Sequence, residues 1–316
     1  MIFIQDLFWN AWRRLCNRSR HRSRQWIRFG LSLGLANVVL LVMLWVVLLL
    51  NLQPTIAAWS TQVSPAQPRL GDTLRVTIRD AADQPPQIEF GGKTYPTYAM
   101  GPNQYRALLP TTPLDRPGVQ QLQVLSGRES QRISVSLGAR SFPTQRITLP
   151  AGQDGNVSDW EFDQVDAFKR IVTPEKLWAG KFIRPNDGEI TTIYGVRRYY
   201  NGVFAEDYYH RGVDYAGDYG SPVIAPAAGR VALVGYENQG YKVHGNIVGI
   251  DHGQGVEGIF MHLNRIQVKP GDVVEAGQVI GTLGDTGAAT GPHLHWGMYV
   301  NGQAVDPVPW REEGFE

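Results

Sequence analysis

From Lys181 onward glycine recurs every few residues, and after residue 173 no long stretch carries the 3.6-residue apolar period of a helix. That combination restricts the C-terminal part of the chain to β structure. Residues 190–194, 231–234, 247–250, 256–260 and 279–283 read as strands. The turns Asn238-Gln239-Gly240, Asp251-His252-Gly253 and Pro270-Gly271-Asp272 separate them. Strands linked by short turns predict an antiparallel domain over 181–316.

A second β pattern precedes it. Leu74, Val76 and Ile78 alternate with Arg75, Thr77 and Arg79, and Ile133, Val135 and Leu137 alternate with Arg132, Ser134 and Ser136. Ile88 and Phe90 run into a Gly91-Gly92 turn and then Tyr95. Short strands at this spacing predict a small immunoglobulin-like β-sandwich over 60–149. It holds no cluster of acids or histidines, which suits a spacer or packing role. Residues 150–180 read as a helical connector. Ser158 and Glu161 fit a capping box, each side chain satisfying the other's free amide. Val165, Phe168, Ile171 and Val172 form an apolar stripe expected to pack between the two β domains.

Residues 31–50 are uncharged, with Asn37 as the only strongly polar residue. At 1.5 Å per residue, such a run reaches about 30 Å, the thickness of a bilayer core. Arg13, Arg14, Arg18, Arg20, Arg22, Arg24 and Arg28 precede it, against Asp6 alone. The basic segment 1–30 is therefore expected in the cytoplasm, with 31–52 as a transmembrane anchor or signal and the rest exported. Thr55-Ile56-Ala57 offers a site for signal cleavage, but the run is longer than a signal core, which favours a retained anchor. Without those arginines the body is net acidic, which argues against nucleic acid as a partner. The one cysteine, Cys16, lies on the cytoplasmic side, so an exported metal site must use His and carboxylate ligands.

The chemistry-bearing residues gather in the C-terminal region. In Gly291-Pro292-His293-Leu294-His295-Trp296-Gly297 the two histidines sit two apart in a strand-like stretch, so both project from one face. His210-Arg211-Gly212-Val213-Asp214 places an imidazole and a carboxylate four apart. Its glycines disfavour a helix, and an extended stretch curved at Gly212 lets the two side chains converge. With one of the His293/His295 pair they make a three-ligand set suited to zinc, open at a fourth position. His262 ends the strand 258–263, where alternation puts it on the face of Phe260, with Met261 and Leu263 opposite. His244 and His252 stand outside these motifs, and His252 reads as a surface residue in its turn.

HRGVD, MHL and GPHLHWG, in that order, resemble the motifs of the M23 (LytM/lysostaphin-like) metallopeptidases, and 220–229 and 269–287 resemble that family's scaffold. The resemblance implies a mainly β chain whose C-terminal domain is a zinc endopeptidase. One Zn²⁺ would be held by His210, Asp214 and His295, with His262 and His293 as the catalytic histidines. Zinc-bound water would be the nucleophile. One histidine would take its proton and the other stabilise the tetrahedral intermediate, in an order left open. The implied substrate is the peptide cross-link of bacterial peptidoglycan. Where the family often has Tyr two residues before the central histidine, this chain has Phe260; Tyr199, Tyr200, Tyr208 and Tyr209 are candidate replacements. The rival reading is a non-catalytic or autoinhibited regulator that activates another wall hydrolase through an unidentified protein partner, with 174–209 as a cover. All five motif positions are filled, which favours the enzyme.

Overall fold

The structure, a computed structural model, describes residues 42–45, 59–79, 84–148 and 157–315. The expected membrane span lies outside these residues except for 42–45, which are helical and exposed. Among the described residues no helix is long and apolar enough to cross a membrane.

Eight strands form the upstream β region: β1 (Ser60–Ser64), β2 (Thr73–Arg79), β3 (Gln87–Phe90), β4 (Lys93–Tyr95), β5 (Tyr98–Gly101), β6 (Gln104–Pro110), β7 (Gly118–Ser126) and β8 (Glu129–Leu137). They make two four-stranded antiparallel sheets, ordered β1-β2-β6-β5 and β4-β3-β7-β8. The alternating residues explain the packing. Leu74, Val76 and Ile78 meet Ile88, Phe90, Leu122, Val124 and Val135 in one buried cluster, and the polar alternates face outward.

After β9 (Thr144–Ile147) and helix α1 (Asp159–Lys169) come β10 (Glu189–Thr192), β11 (Arg197–Tyr200), β12 (Val203–Phe204), β13 (Gly212–Ala216), β14 (Pro222–Ile224) and β15 (Gly229–Gly235). The remaining elements are β16 (Asn246–Gly253), β17 (Val256–Ile266), β18 (Val273–Val274), β19 (Val279–Leu283), β20 (His293–Val300), β21 (Gln303–Val305) and α2 (Pro307–Glu312). One antiparallel sheet runs β10-β13-β20-β17-β16-β15-β18, with β19 and β14 branching from β17 and β21 from β20. The architecture is mainly β, as the glycine-rich pattern predicts.

Three expectations are corrected. The apolar stripe of α1 does not lie between two domains: Val165 and Phe168 join the core of the large sheet. Phe168 lies where any Cβ on Gly249 would be, 2.7 Å away. The helix ends at Lys169, so Val172 drops off the stripe and is exposed. The capping box is half formed. Ser158 Oγ accepts from the Glu161 amide at 3.2 Å, but the Glu161 carboxylate turns away to other partners.

The third correction is His252. It is not in a surface turn, because β16 continues through Gly253 and the reversal falls at Gln254-Gly255, both with left-handed φ (54° and 71°). His252 is fully buried against the Phe182 ring, and its Nδ1 donates to the Ala228 carbonyl at 2.8 Å. Burial pushes its pKa down from 6.5 to about 4. Above pH 6.5 neither folded nor unfolded chain protonates it. As pH falls from 6.5 toward 4, the unfolded chain takes up a proton that the folded chain refuses, and about 3 kcal/mol of stability is lost. His252→Gln will flatten the fall in Tm across that window, measured by calorimetry at stepped pH.

The two β regions are bolted together. Arg106 of β6 is buried, and its guanidinium donates to the Phe315 carbonyl at 3.1 Å and to Gln254 Oε1, 5.0 Å over the Trp178 ring. Trp310 Nε1 donates to Thr73 Oγ1 at 3.1 Å, and Arg140 pairs with Asp306 at 2.7 Å. β9 leaves the sandwich altogether and pairs in parallel with β11, beside the cleft described next.

Candidate metal centre and cleft

β20 lies between β13 and β17 in the sheet, and the register sets Asp214 directly opposite His295 and Ala216 opposite His293. Residues directly opposite in an antiparallel pair share a face. Asp214, His293 and His295 therefore project together, as the two-residue spacing predicts. His210 precedes β13 and is locked by its backbone, its amide donating to Val196 O and its carbonyl accepting from Gly195 N, both at 2.8 Å. Gly212 must be glycine: a Cβ there would lie 2.3 Å from the Trp296 carbonyl and 2.8 Å from the His295 ring. This close approach lets His210 fold back onto Asp214.

The three side chains meet. His210 Nε2 is 3.0 Å from Asp214 Oδ1 and 3.0 Å from His295 Nδ1, and His295 Nδ1 is 2.9 Å from Asp214 Oδ1. All three residues are buried. His210 Nδ1 faces the Ile193 carbonyl at 2.9 Å, which can only accept, so that nitrogen carries the proton and Nε2 presents a bare lone pair. Burial alone would raise the Asp214 carboxyl, but its contacts with His210 and His295 hold it far below the ordinary carboxylate range. Electron-rich atoms crowded this closely repel one another unless a cation lies among them. A two-His, one-Asp set fits Zn²⁺ and leaves a fourth coordination position.

His262 and His293 stand beside this triangle with ring centroids 4.6 Å apart, and His262 is 6.5 Å from the His295 ring. Strand alternation misplaces His262. Its φ is +62° and the pairing of β17 with β16 shifts register there, so Met261 and His262 both line the cleft while Phe260 lies in the core. His262 Nδ1 donates to the Thr286 carbonyl and His293 Nδ1 to the Gly291 carbonyl, each at 2.8 Å. Both rings thus keep Nε2 as a free acceptor. Burial, reinforced by His293 and His295, pushes the His262 pKa down to about 3, so its ring is neutral at any ordinary pH.

The triangle and the histidine pair lie in a cleft of about 360 Å³. Of the four candidate tyrosines, Tyr200 and Tyr208 line it, their hydroxyls accepting from Arg198 Nη1 at 3.4 and 3.3 Å. Tyr199 packs on Phe204 instead, and Tyr209 donates to the buried Ala304 carbonyl. Residues 174–209 wall the cleft through Thr192, Arg198, Tyr200 and Tyr208.

Reading the motifs missed a second tier. His244 lines the cleft, and its Nδ1 donates to the fully buried Glu161 Oε1 at 2.6 Å. The same carboxylate accepts the amides of Lys242, Val243 and His244 at 2.8–3.2 Å. Glu161 resembled an ordinary capping residue because its partners lie 81 to 83 positions away. Lys169, at the end of the same helix, also lines the cleft.

Comparison with known proteins points to the same segment of the chain. Residues 208–307 match the model of peptidase family M23. Over 99 residues the chain is 46% identical to DD-carboxypeptidase/endopeptidase Mpg of Neisseria meningitidis serogroup B, covering 31% of this chain and 22% of that protein. Over 122 residues it is 38% identical to glycyl-glycine endopeptidase ALE-1 of Staphylococcus capitis, covering 37% and 32%. A crystal structure from Pseudomonas aeruginosa assigned to peptidase M23 superposes with a TM-score of 0.59 at 28% identity, over 79% of this chain and 96% of that one. Residues 208–307 carry a peptidase family M23 domain. The chain spans about a fifth to a third of the length of these curated relatives.

Proposed function

We propose that the chain is an exported zinc endopeptidase that hydrolyses peptide cross-links of bacterial peptidoglycan. It is held to the membrane by residues 31–52, with 1–30 in the cytoplasm and the β-sandwich of 60–149 and peptidase domain of 181–316 outside. The observation that carries this reading is the convergence of His210, Asp214 and His295 beside the His262/His293 pair.

His210, Asp214 and His295 hold the metal, and the Ile193 carbonyl keeps His210 in the metal-binding tautomer. Zn²⁺ supplies a Lewis acid that acidifies water and polarises the scissile carbonyl. His262, neutral and anchored through Nδ1, and His293, anchored in the same way, offer Nε2 to take a proton and to return one to the leaving amine. Tyr200 and Tyr208, oriented by Arg198, stand where a substrate carbonyl could receive their hydroxyl hydrogens. Filled ligand and catalytic positions support the enzyme over a non-catalytic regulator.

The test is digestion of cross-linked peptidoglycan by the full-length protein in mild detergent, with fragments identified by mass spectrometry. Cross-link loss that stops with a chelator and returns with added zinc is expected. A folded, zinc-loaded protein that leaves every cross-link intact would overturn the reading in favour of the regulator.

A further inference from the structure

Lys169, at the C-terminal end of α1, is buried with 7% of its surface exposed, yet it lines the cleft. Its Nζ sits 5.1 Å from the Tyr299 ring and 5.9 Å from the Phe162 ring, contacts that hold a cation without neutralising it. Asp166, one turn back, is ion-paired with Arg170. Arg198 and Arg211 line the same cleft, and Arg211 lies 5.6 Å over the Tyr208 ring. Burial, then the nearby charge of Arg211, pushes the Lys169 pKa down to about 8. Against these cations the described residues of the cleft lining offer one acid, Asp214, which belongs to the metal triangle. Glu161 lies on the same helix as Lys169, but its carboxylate is spent on the amides of 242–244.

Like charges gathered in a partly dehydrated wall cost stability unless an anion arrives to share them. Lysine offers a point charge and arginine a planar fork, and both suit a carboxylate. We propose that Lys169, Arg211 and Arg198 form a subsite that holds a free carboxylate of the peptide substrate next to the scissile bond. The preferred substrate is then an acidic, carboxylate-bearing peptide and not an uncharged run of glycines. The inference rests on the peptidase reading and adds to it. Lys169 and Arg198 lie outside the segment matched to the family model, so this selectivity belongs to the upstream helix and β11.

The test is binding rather than turnover. Full-length protein carrying His293→Ala is titrated calorimetrically with two synthetic cross-linked peptides, identical except that one has its free carboxylates amidated, and with pentaglycine. A charge-assisted contact of this kind predicts that the free-carboxylate peptide binds about tenfold tighter than the amidated one. Lys169→Met, and separately Arg211→Gln, will abolish that preference, and Lys169→Arg will keep it. Arg211→Gln carries the test if Lys169→Met does not fold. Equal binding of the two peptides, preferred binding of pentaglycine, or a preference that survives both substitutions would overturn the subsite. Any of these alongside successful digestion of peptidoglycan would leave the peptidase reading standing.

Discussion

Asp214→Ala will lose bound zinc and activity together, whereas His293→Ala will lose activity and keep its zinc. Asp214 Oδ1 lies 3.0 Å from His210 Nε2 and 2.9 Å from His295 Nδ1, and it is the one carboxylate of the triangle. Without it two imidazoles remain, too few for a tight site. His293 touches none of the three ligand atoms; its Nδ1 is engaged by Gly291 and its ring faces His262. Removing a group that moves protons in the transition state costs roughly 10²–10⁴-fold in rate. Metal stoichiometry by atomic emission, read beside the rate of cross-link cleavage, separates the two variants. Zinc loss from His293→Ala would show that the division between ligands and catalytic histidines is drawn wrongly.

Glu161→Ala will be the most destabilising single change outside the metal triangle, by about 4 kcal/mol in denaturant unfolding. Its carboxylate answers three consecutive amides and the His244 ring, and the Gly240 carbonyl, 2.9 Å from the Lys242 amide, offers a second acceptor to that one amide. Although burial opposes the charge, the bonds from His244 and those amides win, and the Glu161 pKa is lowered. A lowered carboxyl contributes stability that is complete above its unfolded value of 4.5 and is lost as pH falls through the folded one. The gap between parent and variant will therefore narrow below pH 4.5. Activity will fall as well, since Val243 and His244 line the cleft. A variant with unchanged unfolding midpoint would mean that water satisfies the amides and that the helix is a passive neighbour.

The parts of this molecule legible in its sequence are those in which short-range geometry decides. Side chains two apart in a strand share a face, which was enough to pair His293 with His295. A glycine between His210 and Asp214 signalled a chain that curves, and the contact of Gly212 with Trp296 is the reason. Alternating apolar residues located Leu74, Val76 and Ile78 in a core. Reasoning failed where one backbone angle or one distant partner decides. A left-handed φ at His262 broke alternation, and a reversal two residues later than expected took His252 from surface to interior. Glu161 and Lys169 carry no local pattern of their function, because what they serve lies across the sheet.

Arg106 bears on the order in which this chain matures. It sits on a strand of the upstream sandwich, yet its buried guanidinium is answered by Gln254 and by the carbonyl of Phe315, 148 and 209 positions later. A ribosome delivers those partners well after Arg106 itself. Until residue 315 has emerged, that guanidinium lacks two of the partners that hold it in the folded chain. The upstream region is therefore not an independently finished module to which a second domain is merely appended. Its last step of folding is timed by the completion of the downstream β domain.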